Sequence, residues 1–259
     1  MALPAVTVTI PTYDAEEPLD LALASVERQT YDGPIECLVL DNSESQVARS
    51  TVADVPFASY HWQLDHVPRK TEGMANVAVA RDLGCRYARG EYVHLLDASD
   101  ELRPTAIEAK LAAIDRHPVA RACYSALEKS DGTIKRLPEV VRGNELAFTL
   151  TNLRPPALPS MLLVERDVIL ACPPRRTLPH EDIAGLIELL LRTPLAYVDD
   201  PLTVRNEPPT TATSTASDRG RIETHDRYAG LRETLLSERH QAVATSTCDD
   251  LRSKCQPVE

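Results

Sequence analysis

The chain has 259 residues, which fits one large domain or two small ones and is long enough for a substantial core. Apolar residues make up 43% and charged residues 26%, the balance of a water-soluble globular protein rather than a disordered or membrane-embedded one. The formal net charge of −11 disfavours nonspecific binding to nucleic acid or an anionic membrane, so a phosphate-bearing ligand would need cations placed locally.

The first half alternates strand and helix patterns. Residues 6–10, "VTVTI", alternate β-branched side chains and run into Pro11, which predicts a strand ending at a turn. Apolar positions at helical spacing predict a helix over 19–29. A short apolar run at 35–40 ends in Asp41-Asn42-Ser43, a turn-forming cluster. An edge strand is expected near Tyr60–Leu64, followed by a helix over 74–90 capped by Gly90. The run "YVHLL" (92–96) predicts the next strand, and a helix follows Pro104 to about His117, where Pro118 stops it.

This alternation implies a mostly parallel central sheet flanked by helices. Ligands of such sheets bind at the carboxyl ends of the strands. Three strands here end in polar punctuation: Pro11-Thr12-Tyr13, Asp41-Asn42, and the acidic run holding Asp97, Asp100 and Glu101. The convergence predicts a polar ligand over one sheet edge, and the acidic run suits a metal or a sugar.

The second half is less regular. Asp131-Gly132 predicts a hairpin within 120–142. A strand is expected at 160–165 and a strongly apolar helix at 181–192. Residues 195–205 read as a strand, a turn at Asp200-Pro201, and a second strand. The Pro/Thr/Ser-rich stretch 206–217 predicts a connector or lid, and a charged amphipathic helix over about 218–241 can cover the core or form a homodimer interface.

The six cysteines form no C-x-x-C pair and no zinc spacing. Cys37 and Cys85 fall in apolar runs where buried free thiols are common, so a reducing, cytoplasmic compartment is expected. No signal peptide is read at Met1. The most apolar helix, "IAGLIELLL" (183–191), is too short to span a bilayer, so no integral membrane segment is expected.

Four stretches in order carry a family resemblance: "VTVTIPTYD…LDLALASVERQTYDGPIECLVLDNSES", "VAVARDLGCRYARGEYVHLLDASDELRP", "HEDIAGLIELLLR" and "YVDDPLTVR". Together they resemble family-2 glycosyltransferases of the GT-A fold, over roughly residues 5 to 206. The resemblance implies a single Rossmann-like α/β domain with a C-terminal helical extension. Its donor-binding half would be 1–118, its acceptor-binding half 119–206, and its linker, helix and tail 207–259. It also implies inverting transfer of a sugar from a UDP- or dTDP-linked donor to a hydroxyl or amine of a small molecule or saccharide.

Residue by residue, the resemblance makes Asp41 the acceptor of the nucleobase imide N–H, a role suited to an acceptor-only carboxylate. Pro11 and Tyr13 would line the base and ribose pocket, and Asn76 and Arg81 would lie on the helix that shapes it. Arg81 either offsets diphosphate charge, contacts the base, or sits exposed on the helix. Asp182 would be the catalytic base at a helix start that favours its ionised form, with Glu181 orienting the site and His180 beside them.

Two positions depart from the family pattern. Where a metal-ligating aspartate is usual, the chain has Ser99, flanked by Asp97 and Asp100. A hydroxyl is a poor substitute for a carboxylate on Mn²⁺ or Mg²⁺. Asp100 could supply the ligand, water and diphosphate could do most of the coordination, or Arg205, Arg69 and Lys70 could replace the cation. The second departure is Arg205-Asn206-Glu207, where the usual histidine two residues after the arginine is missing. Two alternatives stand beside transfer. One is a degenerate GT-A protein that binds nucleotide or a partner without catalysis. The other is a nucleotidyltransferase, for which no Gly-rich phosphate loop is present.

Overall fold

The computed structural model describes residues 2–12, 18–41, 47–53, 55–56, 58–62, 74–138, 141–173, 178, 180–206 and 222–235. The chain opens with β1 (Val6–Thr12), α1 (Pro18–Glu27), β2 (Ile35–Asp41), α2 (Val47–Ala53), β3 (Ala58–Trp62), α3 (Met74–Tyr87) and β4 (Tyr92–Leu95). β5 (Asp100–Leu102), α4 (Ala106–Asp115), β6 (Ala122–Lys129) and β7 (Ile134–Lys135) follow. The rest comprises α5 (Glu145–Asn152), β8 (Leu163–Glu165), α6 (Arg166–Ala171), α7 (Glu181–Leu190), β9 (Leu195–Arg205) and α8 (Ala229–Leu235).

The nine strands form one sheet in the order β3-β2-β1-β4-β8-β6-β9-β5, with β7 hairpinned onto β6. The first four of these strands are mutually parallel. Beyond β4 the sheet is mixed: β8 runs antiparallel to both neighbours, β9 runs parallel to β6, and β5 runs antiparallel to β9. The C-terminal ends of β1, β2, β4, β6 and β9 therefore share one edge. Strand order reverses beside β1, the kind of switch point where α/β sheets bind ligands.

Strand β1 continues through Pro11 to Thr12 instead of stopping at the proline. The reason lies in its neighbours. The Thr9 carbonyl faces β4, accepting the Leu96 N–H at 3.0 Å, so Pro11 faces the same side. The β1–β4 register ends at Thr9 and Leu95, so the missing proline N–H falls where there is no longer a strand to receive it.

The two sheet faces carry separate cores. Val6, Val8 and Ile10 pack with α1, α2 and α4, while Leu38, Leu40, Val93 and Leu95 pack with α3, α6 and α7. Each fully buried Ile or Leu in these layers contributes about 1.5–3 kcal/mol. Helix α3 lies close against β1 because residue 84 is glycine. A Cβ there would stand 2.9 Å from Thr9 Cβ, so the roughly 1 kcal/mol helix penalty of glycine allows close packing.

Two further expectations are corrected. Gly90 does not cap α3, which ends at Tyr87, and its φ is not positive. It lets the chain pass against β1 instead: a Cβ would sit 2.6 Å from the Thr7 backbone nitrogen, and Gly90 N–H donates to Thr7 Oγ1 at 2.9 Å. Asp200-Pro201 makes no turn, because β9 runs unbroken for 11 residues. The register against β6 shifts there, from Val198 opposite Ser125 to Pro201 opposite Ala126 and Thr203 opposite Leu127, an irregularity that tolerates proline. The terminal amphipathic stretch is helical at 222–227 and through α8 and packs within the chain, Tyr228 joining Leu150, Leu178, Ile183, Ala184 and Ile187.

The hairpin at Asp131-Gly132 forms as expected, with Gly132 at φ 81°. Cys37, Cys85, Cys123 and Cys172 are free thiols, the first three buried. No helix among the described residues is long and apolar enough to cross a membrane. The expected connector at 206–217 lies outside the described residues except for Asn206.

Candidate active site

Three elements meet at the shared strand edge. Leaving β4, the chain passes Leu96 to Asp97, turns at Ala98-Ser99 with the Asp100 N–H donating to the Asp97 carbonyl at 3.0 Å, and enters β5. Helix α3 presents Arg81, one turn before Gly84 brings the helix onto β1. Helix α7 starts at Glu181, and its first turn closes when the Ile183 and Ala184 N–H groups donate to the His180 carbonyl. His180 adopts φ 44°, a left-handed conformation that is sparsely populated for a non-glycine residue and that concentrates at functional sites.

Arg81 is the hub. Its guanidinium is 5% exposed and ion-paired to three carboxylates. Nη2 donates to Asp97 Oδ1 at 2.5 Å, Nη1 donates to Asp182 Oδ1 at 3.1 Å, and Nη1 also bonds Glu181 Oε1. Burial pulls the guanidinium pKa down, but Asp97 and Asp182 outweigh that and hold it above the ordinary arginine value. Of the three acids, Glu181 is buried, whereas the Asp97 and Asp182 side chains are 35% and 31% exposed. Glu181 is thus the internal counter-ion, and the two aspartates face solvent across the edge.

Asp100 lies just beyond, 4% exposed and in register with Arg205 at the end of β9. Burial, reinforced by the Asp97 charge, raises its carboxyl to about 6 against the pull of Ser160, Arg205 and the Asn206 backbone N–H. Ser160 ties the two acids together. Its hydroxyl accepts the Asp97 N–H at 3.0 Å while hydrogen-bonding the Asp100 carboxylate, and its carbonyl accepts Thr203 Oγ1 at 3.0 Å. Sequence reading did not single out Ser160, which sits in a three-residue 3₁₀ turn with no motif to mark it.

Asp41 ends β2 fully buried, in register with Thr12 at the end of β1. Pro11 is buried one residue earlier. The Thr12 hydroxyl has no hydrogen-bond partner among the described residues. The structure therefore gathers Arg81, Asp97, Glu181 and Asp182 into one cluster, with Asp100 and Arg205 adjoining it. It places Pro11 one strand away and Asp41 two strands away on the same edge. Tyr13, Arg69, Lys70 and Glu207, and the side chain of Asn76, lie outside the described residues.

Among the described residues no three candidate ligand side chains cluster around a cation position. Divalent cations in phosphate-transfer sites need only one or two carboxylates, with substrate phosphates and water completing the shell. Asp97 and Asp100 fit that sparser mode. Arg81, Asp97, Glu181 and Asp182 together carry an excess of negative charge, so a diphosphate could approach only with further positive charge.

Comparison with known proteins agrees with this fold. The uncharacterized glycosyltransferase YibD of Escherichia coli (strain K12) is 31% identical over 103 residues, 39% of this chain and 28% of that one. The aligned part thus spans well under a third of that relative's length. Mannosyl-3-phosphoglycerate synthase from Rubrobacter xylanophilus superposes with a TM-score of 0.64 at 18% identity, covering 88% of this chain and 76% of that one. Glucosyl-3-phosphoglycerate synthase from Mycobacterium tuberculosis, in complex with Mn²⁺, UDP and glucosyl-3-phosphoglycerate, gives 0.62 at 16%, covering 86% and 80%. S. aureus TarS 1-349 with UDP-GlcNAc gives 0.60 at 14%, covering 92% and 78%. At such identities the likeness is one of fold, the GT-A type. The sequence profile of glycosyl transferase family 2 matches residues 7–169, more than half of the chain, so the chain belongs to that family.

Proposed function

We propose that the chain is an inverting glycosyltransferase that moves a sugar from a UDP- or dTDP-linked donor to an acceptor hydroxyl or amine, with Asp182 as general base. The observation that carries this reading is the Arg81 hub, which holds the phosphate-end acid Asp97 and the half-exposed Asp182 on opposite sides of one guanidinium. One guanidinium thereby sets the spacing between the donor end and the attacking end of the site.

The donor would lie along the strand ends. Asp41 accepts the nucleobase N–H beside Pro11, and the diphosphate reaches β4, two strand spacings or about 10 Å away. Asp97 and Asp100 would hold a Mn²⁺ or Mg²⁺ ion, which would supply charge to offset the diphosphate, and Arg205 would add positive charge from β9. The acceptor loses its proton to Asp182 as its oxygen or nitrogen bonds to the anomeric carbon. The bond from that carbon to the diphosphate oxygen breaks, and the nucleoside diphosphate leaves with the electron pair. Residues 1–118 serve the donor and 119–206 the acceptor, a small molecule or saccharide, and the free thiols suit a cytoplasmic setting.

Support for the metal comes from the acid excess at the hub, since Ser99 contributes no charge. Support for the competing reading, a nucleotide binder without turnover, comes from Arg81 occupying Asp97. Calorimetry with UDP and dTDP, with and without Mn²⁺, paired with donor turnover over an acceptor panel, separates the two. Transfer requires nucleotide affinity that rises at least about tenfold with Mn²⁺ and donor consumption with acceptor. Metal-independent binding with no turnover would favour the binder.

A further inference from the structure

Helix α7 carries the proposed base at its first turn, and a second buried anchor holds the helix further along. Glu188 is 8% exposed, and its Oε1 accepts the Tyr228 hydroxyl at 2.7 Å. Its Oε2 pairs with Arg192 at 2.9 Å. Glu188 lies seven residues after Glu181, two helical turns along nearly the same face and about 10 Å along the axis. Arg81 therefore grips one end of that face and Tyr228 the other.

The Tyr228 ring, 7% exposed, packs with Ile183 and Ala184, which immediately follow Asp182 in the helix, and with Ile187 one turn further on. Leu150 of α5 and Leu178 complete this small core, and Leu231 of α8 packs against it. The segment 222–235 lies wholly outside the stretch matched by the family profile, 7–169. Burial and the adjoining Glu188 charge both raise the Tyr228 phenol pKa above its usual value, so it stays a hydrogen-bond donor across the working pH range.

We infer that Tyr228 is a positioning residue for the acid pair at the start of α7. The C-terminal segment acts as a wedge that fixes the rotation of α7, and with it the direction in which Asp182 points. This rests on the reading of Asp182 as the base. A side chain at one end of a buried helix can set the aim of the other end because a helix turns as a unit, and small misplacements of a catalytic group are costly.

The test compares Tyr228→Phe, which keeps the ring and removes the hydroxyl, with Tyr228→Leu and Asp182→Asn, all in the full chain. Backbone amide exchange is followed at 183–187 and, as a reference, at 6–10 and 35–40. Tyr228→Phe should speed exchange at 183–187 by about fivefold or more with the reference strands unchanged. In transfer assays it should lower kcat by about tenfold while the UDP dissociation constant stays within about twofold, a split that general loss of stability would not produce. In a Glu188→Leu background, Tyr228→Phe should add little further loss, since Glu188→Leu already removes the acceptor of the Tyr228 hydroxyl. Unchanged exchange over 183–187, or an unchanged kcat in both folded Tyr228 variants beside an inactive Asp182→Asn, overturns the inference and leaves the base assignment standing. Full activity in Asp182→Asn overturns both.

Discussion

Two buried cations on opposite faces of one sheet are treated in opposite ways. Arg81, over the strand ends, is surrounded by Asp97, Glu181 and Asp182 and is held charged. Lys110 of α4 is fully buried beneath β4, and no carboxylate among the described residues pairs with it. Its Nζ lies 2.8 Å from His94 Nε2, and His94 Nδ1 lies 3.0 Å from the Leu95 carbonyl. A carbonyl only accepts, so Nδ1 carries the imidazole proton and Nε2 accepts from the lysine. Burial lowers the amine to about 7, and burial together with Lys110 pushes His94 well below its usual value. The fold thus keeps charge at the edge, where a ligand would use it, and disfavours it in the core.

The largest effect expected from this contrast is at Arg81. Arg81→Met would take from Asp97, Glu181 and Asp182 the cation that all three pair with, and breaking a buried charge network in this way costs about 3–5 kcal/mol. Denaturant unfolding should show that loss, together with collapse of transfer activity. A loss under about 1 kcal/mol would mean that the cluster is solvated like a surface ion pair.

Asp100 comes next. Its folded pKa is raised to about 6, so its contribution to stability is fully present below the unfolded value near 4 and is lost as pH rises through about 6. Asp100→Asn should therefore raise stability at pH 8 by roughly 2–3 kcal/mol and flatten the pH 4–6 slope, unless Mn²⁺ is present to recruit the carboxylate in the wild type. Thermal melts across that range, with and without Mn²⁺, read both effects.

The smallest effect is at Lys110. Its folded pKa is depressed, so wild-type stability should climb as pH rises from about 7 toward the unfolded value near 10.5. Lys110→Met should remove that climb, and above about pH 10.5, where the cost of the depressed amine is gone, it should cost only about 1–2 kcal/mol by leaving His94 Nε2 unpartnered. A slope that survives the substitution would locate the titration elsewhere.

The donor side of the fold was legible because its signals are periodic. β1 alternates Val and Ile with Thr and β2 is a short apolar run, both almost wholly buried, and their polar endings marked the edge where Asp41 and Asp97 lie. What escaped was short or non-local. β5 has three residues and exists through its pairing with β9, so no period announces it. β9 was divided at Asp200-Pro201 because turn chemistry was weighed without the β6 neighbour that absorbs the irregularity. At the site, Asp182 was correctly placed at a helix start, and the grouping of Arg81 with both acids required tertiary structure. A lone helix arginine carries no mark of burial, and an exposed position had stayed open for it. Ser160 was invisible for the same reason, since its role arises only where the 3₁₀ turn meets Asp97 and Asp100.

The central claim is that Asp182, aimed by Arg81, takes the acceptor's proton. The most direct measurement is the rate of donor-sugar transfer by Asp182→Asn alongside calorimetric UDP binding by the same variant. The account predicts a fall in kcat of about 10²–10⁴ with UDP affinity preserved within about twofold, because the substitution removes the base and spares the Asp41 end of the edge. Transfer at the wild-type rate by a folded Asp182→Asn chain would contradict it.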